Sequence, residues 1–298
     1  MKRAAIAIGS NSTRMLVADA RGGVLRDPVR GREETRLFLG LDGAGRISPE
    51  KIESNAQAVL RLHREALSHG AQSVDLFATS AVRDAANSSV FAARIRELTG
   101  LDMRVISGRE EARLAFMAVS NGERRMVIDI GGGSSEWTLG ENNRVEWSVS
   151  MQIGASRLLK NQRLESPEDA ARVQILCKEV MGLYGRQLQS FAPAPALIGL
   201  GGTCTTAAAI TLGREAHGEE VEGVTVEKQA AIDQLIMLSS MTLEERKQVP
   251  GLPPSRAAHY PLGLCILISS MDVLGFQQLT VSGKTNMDGY LLNLAKED

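Results

Sequence analysis

The sequence predicts an α/β protein made of two related domains, residues 1–122 and 123–298, facing each other across a cleft. Three observations predict it. At 298 residues the chain is long for one core and comfortable for two domains of about 120–180 residues each. A hydrophobic content of 43% with only 4% aromatic residues means a core of Ala, Val, Ile and Leu, which suits layered sheets and helices better than a sandwich. The third is internal. Ile6-Ala7-Ile8-Gly9-Ser10-Asn11-Ser12 aligns without a gap with Ile128-Asp129-Ile130-Gly131-Gly132-Gly133-Ser134, and each copy leads into a second strand and a hairpin. Two halves that open alike read as a duplicated domain.

The elements follow in order. Ala4 to Ile8 is a short apolar strand, Gly9 to Thr13 a polar turn, Met15 to Ala18 a second strand, and Arg21-Gly22-Gly23 the next turn. Ser48 as N-cap, Pro49 at the first position and Glu50 in the first turn start a helix that Gly70 stops. Val74 to Ala78 and Met103 to Ile106 read as strands, with helices over about 87–98 and 109–119. After the polar break at Asn121-Gly122-Glu123-Arg124-Arg125 the pattern restarts with strands at Met126 to Ile130, Trp137 to Leu139 and Val145 to Val149, the last pair joined at Asn142-Asn143. Helical stretches at 167–189, interrupted by one Gly, precede a strand over 196–200 and helices after Gly201. An apolar helix over 257–274, a strand over 279–282 and a final helix, placed to pack back on the first domain, complete the chain.

Composition excludes several classes. The 34 basic and 35 acidic residues leave a net charge of −1, so no nucleic-acid or membrane surface is expected. No apolar run reaches the roughly 20 residues that span a bilayer, and Met1-Lys2-Arg3-Ala4 enters a strand without a signal-like segment; a cytoplasmic location is expected. Cys177, Cys204 and Cys265 have no metal-ligand spacing and are read as buried thiols. The apolar stretch from Leu262 to Met271 suits either a homodimer face or burial within the monomer.

The glycine-rich turns carry the chemistry. A Gly/Ser turn after a strand gathers backbone amides in one concavity with no side chain in the way, which is what a phosphate needs. Gly9-Ser10-Asn11-Ser12 and Gly131-Gly132-Gly133-Ser134 form two such turns, and Gly201-Gly202-Thr203 a third at a helix start. One alone reads as an ordinary hairpin; three, each after a buried-type strand, point to phosphate. Asp129 either caps its turn or holds Mg²⁺, and Glu136 is either a solvated strand residue or a second ligand. Glu110-Glu111 opens a helix, as two acids favoured by its dipole or with one acting as general base. Arg83 follows a strand and is either a surface arginine or a bidentate clamp on phosphate oxygens; Arg14 and Arg36 are weaker candidates.

At these residues the sequence resembles the exopolyphosphatase/guanosine pentaphosphate phosphohydrolase (Ppx/GppA) family of the sugar kinase/heat-shock chaperone/actin superfamily. Ile8-Gly9-Ser10-Asn11-Ser12, Glu34-Thr35-Arg36-Leu37, Ala78-Thr79-Ser80-Ala81-Val82-Arg83-Asp84-Ala85, Glu110-Glu111-Ala112-Arg113-Leu114, Asp129 through Glu136, and Gly199-Leu200-Gly201-Gly202-Thr203 match its blocks in order. The resemblance implies two actin-like (ribonuclease H-like) domains and Mg²⁺-dependent release of terminal orthophosphate from inorganic polyphosphate or guanosine pentaphosphate. It places the catalytic base on Glu111 and the metal on Asp129 and Glu136. The phosphates fall to Gly9, Ser10, Asn11, Ser12, Arg83, Gly131, Gly132, Gly133, Ser134, Gly201, Gly202 and Thr203. The length resembles short members without C-terminal helical extensions. Two departures stand out. The family's first loop begins with Asp, as the repeat does at Asp129, but this chain has Ala7. Thr285-Asn286-Met287-Asp288-Gly289 replaces the family's Gly-Leu-Arg-Glu-Gly, which implies that a substrate-facing arginine is missing. Ala7 motivates a second reading as a non-catalytic binder of polyphosphate or guanosine alarmones, and the loops admit a third as an ATP-using kinase.

Overall fold

A computed structural model describes residues 1–297. The chain forms two compact units, Met1–Ala118 with the segment from Thr285 onward, and Val119–Lys284. The polar break that suggested a boundary at 122/123 is the connection between the fourth helix and the sixth strand.

In the first unit, β1 (Lys2–Ile8), β2 (Ser12–Arg21) and β3 (Val24–Glu34) form an antiparallel meander. Helix α1 (Pro49–Ser68) leads to β4 (Ser73–Ala78), short α2 (Ser80–Arg83), α3 (Ser88–Thr99), β5 (Met103–Val105) and α4 (Gly108–Val119). The N-cap reading of α1 holds: the Ser48 side chain accepts from the Lys51 amide at 3.3 Å, satisfying one orphan donor of the first turn. The stretch around Arg83, which follows β4, closes one helical turn at α2, with the Arg83 amide donating to the Thr79 carbonyl at 3.0 Å.

The sheet order is β3-β2-β1-β4-β5, with β4 and β5 parallel to β1. Strand alternation divides the core between two faces. Ala4, Ile6, Ile8, Met15 and Val17 pack with Ala56, Val59 and Leu62 of α1 and with Phe91 and Ile95 of α3. Ala5, Ala7, Leu16 and Ala18 face the other way, onto Leu114 of α4.

The second unit repeats the plan with β6 (Arg125–Ile130), β7 (Ser135–Glu141) and β8 (Arg144–Met151). Asn142 and Asn143, at φ 51° and 60°, supply the two positive dihedrals that a tight primed hairpin requires. Next come α5 (Ala155–Asn161), α6 (Pro167–Gly185), β9 (Leu197–Leu200), α7 (Gly201–Thr211), β10 (Thr225–Glu227), α8 (Lys228–Ser239), α9 (Leu243–Arg246), α10 (Tyr260–Leu274) and β11 (Gln278–Val281). Helix α11 (Asn286–Glu297) belongs to the first unit.

The second sheet reads β10-β11-β9-β6-β7-β8. Without the edge strand β10, this is the first unit's order again: a three-stranded meander with two parallel strands beside its first member. That topology, present twice, is the actin-like arrangement. Helix α6 runs through Gly182 unbroken, and the change of pitch comes at a 3₁₀ turn over Arg186–Ser190. Residues Tyr260 to Met271 of α10 are buried within their own unit, packed with α6 and α8, which accounts for a helix apolar on all sides. Of the two readings of that stretch, a homodimer face or burial within the monomer, the structure bears out the second.

Candidate anion-binding loops and active-site residues

Each unit carries its glycine-rich loop between the first two strands, closed the same way. The Gly9 amide donates to the Ser12 carbonyl at 3.0 Å, and the Gly131 amide to the Ser134 carbonyl at 3.0 Å. Between these closures the amides of Ser10, Asn11, Gly132, Gly133 and Ser134 have no hydrogen-bond partner among the described residues. Ser10, Gly133 and Ser134 are buried, where an unmet donor is costly. A ligand with several acceptor oxygens would satisfy them.

The hydroxyls of the first loop are already engaged. Ser10 Oγ lies 2.9 Å from Ser80 Oγ, and Ser12 Oγ accepts from Arg32 Nε at 3.1 Å. Ser12 Oγ only accepts, so its O–H stays a donor there beside the backbone amides.

Glu110 and Glu111, adjacent in sequence, separate in the fold. Glu110 pairs with exposed Arg104 at 2.7 Å. Glu111 is only 8% exposed and lies 3.4 Å from Arg83 Nη1, which also donates to the Ile106 carbonyl at 3.0 Å. Arg83 Nη2 is buried with no hydrogen-bond partner. A guanidinium fixed by one nitrogen and unmet at the other is a ready donor to an anion. The first unit thus gathers a buried carboxylate and an orphaned arginine donor on elements that follow β4 and β5.

In the second unit, Asp129 and Glu136 stand directly opposite each other in the β6–β7 register, on the face away from Ile128, Ile130 and Trp137. Glu136 is 2% exposed and accepts from Ser150 Oγ at 2.7 Å. Like charges directly opposite across strands repel, so a cation fits this pair. Among the described residues no group of three or more His, Cys, Asp or Glu side chains forms a metal cluster. Two carboxylates nonetheless suit Mg²⁺, which keeps water and takes phosphate oxygens for its remaining ligands.

The third loop touches the same place. Gly201 starts α7 at φ +83°, and a Cβ there would overlap the Asp129 carboxylate and the Ile130 backbone. Glycine is required on both grounds. The first-turn amides of α7 are consequently brought close to Asp129. Cys204, in the same turn, has its thiol pKa raised by burial, with the Asp129 charge adding to the shift. All three cysteines are free and buried.

Residues that sequence reading passed over complete the surroundings. Arg256, distant in sequence, donates through Nη1 to the Gly202 carbonyl and to Thr206 Oγ1. Ser150 holds Glu136, and Ser80, which lies in the matching block Ala78–Ala85, holds Ser10. Neither Arg256 nor Ser150 carries a local signature, since each acts through a partner that only the fold supplies.

The two departures meet in one place. Ala7 and Met287 are both buried in the apolar cluster with Ala5, Leu16, Phe77, Leu114 and Leu291. Position 287 therefore lies beneath the first sheet and does not face solvent. Thr285 and Asp288 form a helix-entry box for α11: the Thr285 amide donates to Asp288 Oδ2 at 2.8 Å and the Met287 amide to Thr285 Oγ1 at 3.3 Å. Asp288 also takes Arg30 in a bidentate pair at 2.6 and 3.1 Å.

A duplicated actin-like fold whose strand-linking loops end in unmet amides defines a phosphate-handling protein with carboxylates at hand in each unit. The chain matches the Ppx/GppA phosphatase family over residues 16–298, and it belongs to that family. Exopolyphosphatase 2 of Mycobacterium tuberculosis is 32% identical, with 98% of each chain covered. The crystal structure of the Aquifex aeolicus Ppx/GppA family member is 26% identical, with a TM-score of 0.84 over 100% of this chain and 99% of that one. An exopolyphosphatase from Cytophaga hutchinsonii shares the fold at a TM-score of 0.90 and 24% identity, over 100% of this chain and 98% of that one. No helix among the described residues is long and apolar enough to cross a membrane.

Proposed function

We propose that this chain hydrolyses terminal phosphoanhydrides, releasing orthophosphate from inorganic polyphosphate, with guanosine pentaphosphate as a second substrate of the same chemistry. The observation that carries the proposal is Glu111, buried beside the unmet Arg83 nitrogen in a chain of a phosphatase family. Glu111 takes a proton from water as its oxygen attacks the terminal phosphorus; the bridging P–O bond breaks and the shortened chain leaves. In the first unit, Arg83 and the loop amides of Ser10 and Asn11 bind the non-bridging oxygens and the charge that develops on them, and in the second unit the amides of Gly132 and Gly133 offer phosphate the same kind of donor. Asp129 and Glu136 would hold Mg²⁺, which supplies neutralisation of phosphate charge.

The test is orthophosphate release from polyphosphate and from guanosine pentaphosphate, with Mg²⁺ and with a chelator. Glu111→Gln is expected to lose about 10²–10⁴-fold in rate while still binding polyphosphate. Release that is unchanged by Glu111→Gln would sink the assignment of the base. Ala7, in place of the repeat's Asp, favours one alternative: a protein that binds these ligands without turning them over. Binding without release by the unmodified chain would establish it.

A further inference from the structure

The backbone of the second loop can be accounted for group by group, and every carbonyl in it is tied from behind. The Gly131 carbonyl accepts the Ala155 amide at 3.0 Å. The Gly132 carbonyl accepts two, Ser156 at 2.8 Å and Arg157 at 2.9 Å. Arg157 Nε donates to the Gly133 carbonyl at 2.6 Å, and the Ser134 carbonyl closes the turn with the Gly131 amide. The amides at the far ends of the peptide units led by Gly131, Gly132 and Gly133 are those of Gly132, Gly133 and Ser134, and these have no partner among the described residues.

A peptide plane is rigid, so a carbonyl fixed on one side sends its N–H to the other. The donors on the carbonyl side are the first amides of α5 and a guanidinium, the most positive groups available, and hydrogen bonds in series polarise one another. Gly154 keeps the approach close, since a Cβ there would collide with the Gly132 backbone.

The first unit also ties its loop from behind, one peptide further along and with backbone amides as the donors. Thr35 and Arg36 donate both amides to the Asn11 carbonyl, at 3.1 and 2.9 Å, and Phe38 donates to the Ser10 carbonyl at 2.9 Å. Thr35-Arg36-Leu37 and Ser156-Arg157-Leu158 are thus a second repeated block, each following the third strand of its meander. The duplication extends from the loops to what holds them.

We infer that Arg157, with the Ala155–Arg157 amides, is the positioning element of the second phosphate loop, orienting and polarising the Gly132, Gly133 and Ser134 amides toward bound phosphate. The inference rests on the proposed phosphate-binding role of that loop. Arg157 acts through Gly133 and does not itself take the phosphate.

The experiment measures tripolyphosphate binding to the full chain by calorimetry, with amide chemical shifts of Gly132 and Gly133 as a second readout. For Arg157→Ala the dissociation constant is expected to rise about ten-fold, in line with loss of one charge-assisted hydrogen bond. KM should rise by a similar factor with kcat less affected, and the Gly133 shift on ligand addition should shrink. Arg157→Lys, which keeps the charge but not the fork, should recover part of the affinity, and melting should confirm that both variants fold. Unchanged affinity and unchanged Gly133 response in Arg157→Ala would overturn the inference while leaving the phosphate loop standing. Absence of tripolyphosphate binding by the unmodified chain would overturn the loop's role, and the inference with it.

Discussion

At the scale of single residues, position 7 shows how one substitution changes meaning inside a fold. Its twin Asp129 faces Glu136 across the strands, whereas Ala7 faces Arg14. The second unit therefore concentrates negative charge where the first carries none. Ala7 packs in the cluster that holds Met287, so the two departures from the family pattern replace charged side chains by apolar ones in the same cluster. Ala7→Asp alone should bury a carboxylate among apolar groups and lower Tm by roughly 5–10 °C. Met287→Arg alone should cost a similar amount, and the double variant should recover at least half of the summed loss, as a coupled pair does. Strictly additive losses in thermal melts would show that the two positions do not meet. Full tolerance of Ala7→Asp alone would assign its partner to Arg14 instead.

At the scale of elements, helices are fixed by a few charged contacts laid over apolar packing. Asp272 on α10 receives Lys178 of α6 at 2.6 Å and Lys228 of α8 at 2.9 Å. Burial pushes its carboxyl pKa up, but the two lysine hydrogen bonds outweigh this and hold it below the usual carboxylate range. A lowered folded-state pKa means the contribution is complete above the unfolded value of about 3.9 and disappears as pH falls through the folded one. Melting curves should therefore show the unmodified chain losing stability in acid more steeply than Asp272→Asn, and exceeding it by a few °C near neutral pH. Parallel curves for the two proteins across the acid range would remove Asp272 from the pH response. The loops obey a related economy. Gly201→Ala should displace Asp129 and weaken the proposed Mg²⁺ binding at least ten-fold, read by titration in the absence of substrate, because a positive φ and the overlap with the Asp129 carboxylate are both violated.

At the scale of the whole molecule, the chain leaves the first unit after Ala118 and re-enters it at Thr285. Met287 and Leu291 of α11 are buried under the first sheet, the Arg30–Asp288 pair fixes the helix entry, and Arg113 donates to Asn293 at 3.1 Å. The first unit's core is thus incomplete until the last segment has been made. Truncation after Lys284 should expose the face bearing Ala5, Leu16 and Leu114 and leave the first unit open to limited proteolysis, while the second unit resists. Equal resistance of both units would show that α11 is dispensable.

The amino-acid sequence by itself determined the fold class, the two-fold repeat and the positions of the three glycine-rich loops. Those features are local: strand alternation, Gly turns and capping residues are written in consecutive residues. The family blocks pointed to Glu111, Asp129 and Glu136 in the same way. Only tertiary structure gave the physical ground for Glu111 over Glu110, its burial beside Arg83, placed Met287 beside Ala7 and showed that α10 is an internal helix. It alone supplied the partners of the loops, Arg157 and Arg256, because hydrogen bonds between a backbone carbonyl and a donor 20 or more residues away leave no periodicity to read, and it alone brought Ser150 to the Glu136 carboxylate. The short α5 and the edge strand β10 escaped notice for a related reason, as each is held by packing against its unit rather than by its own propensity.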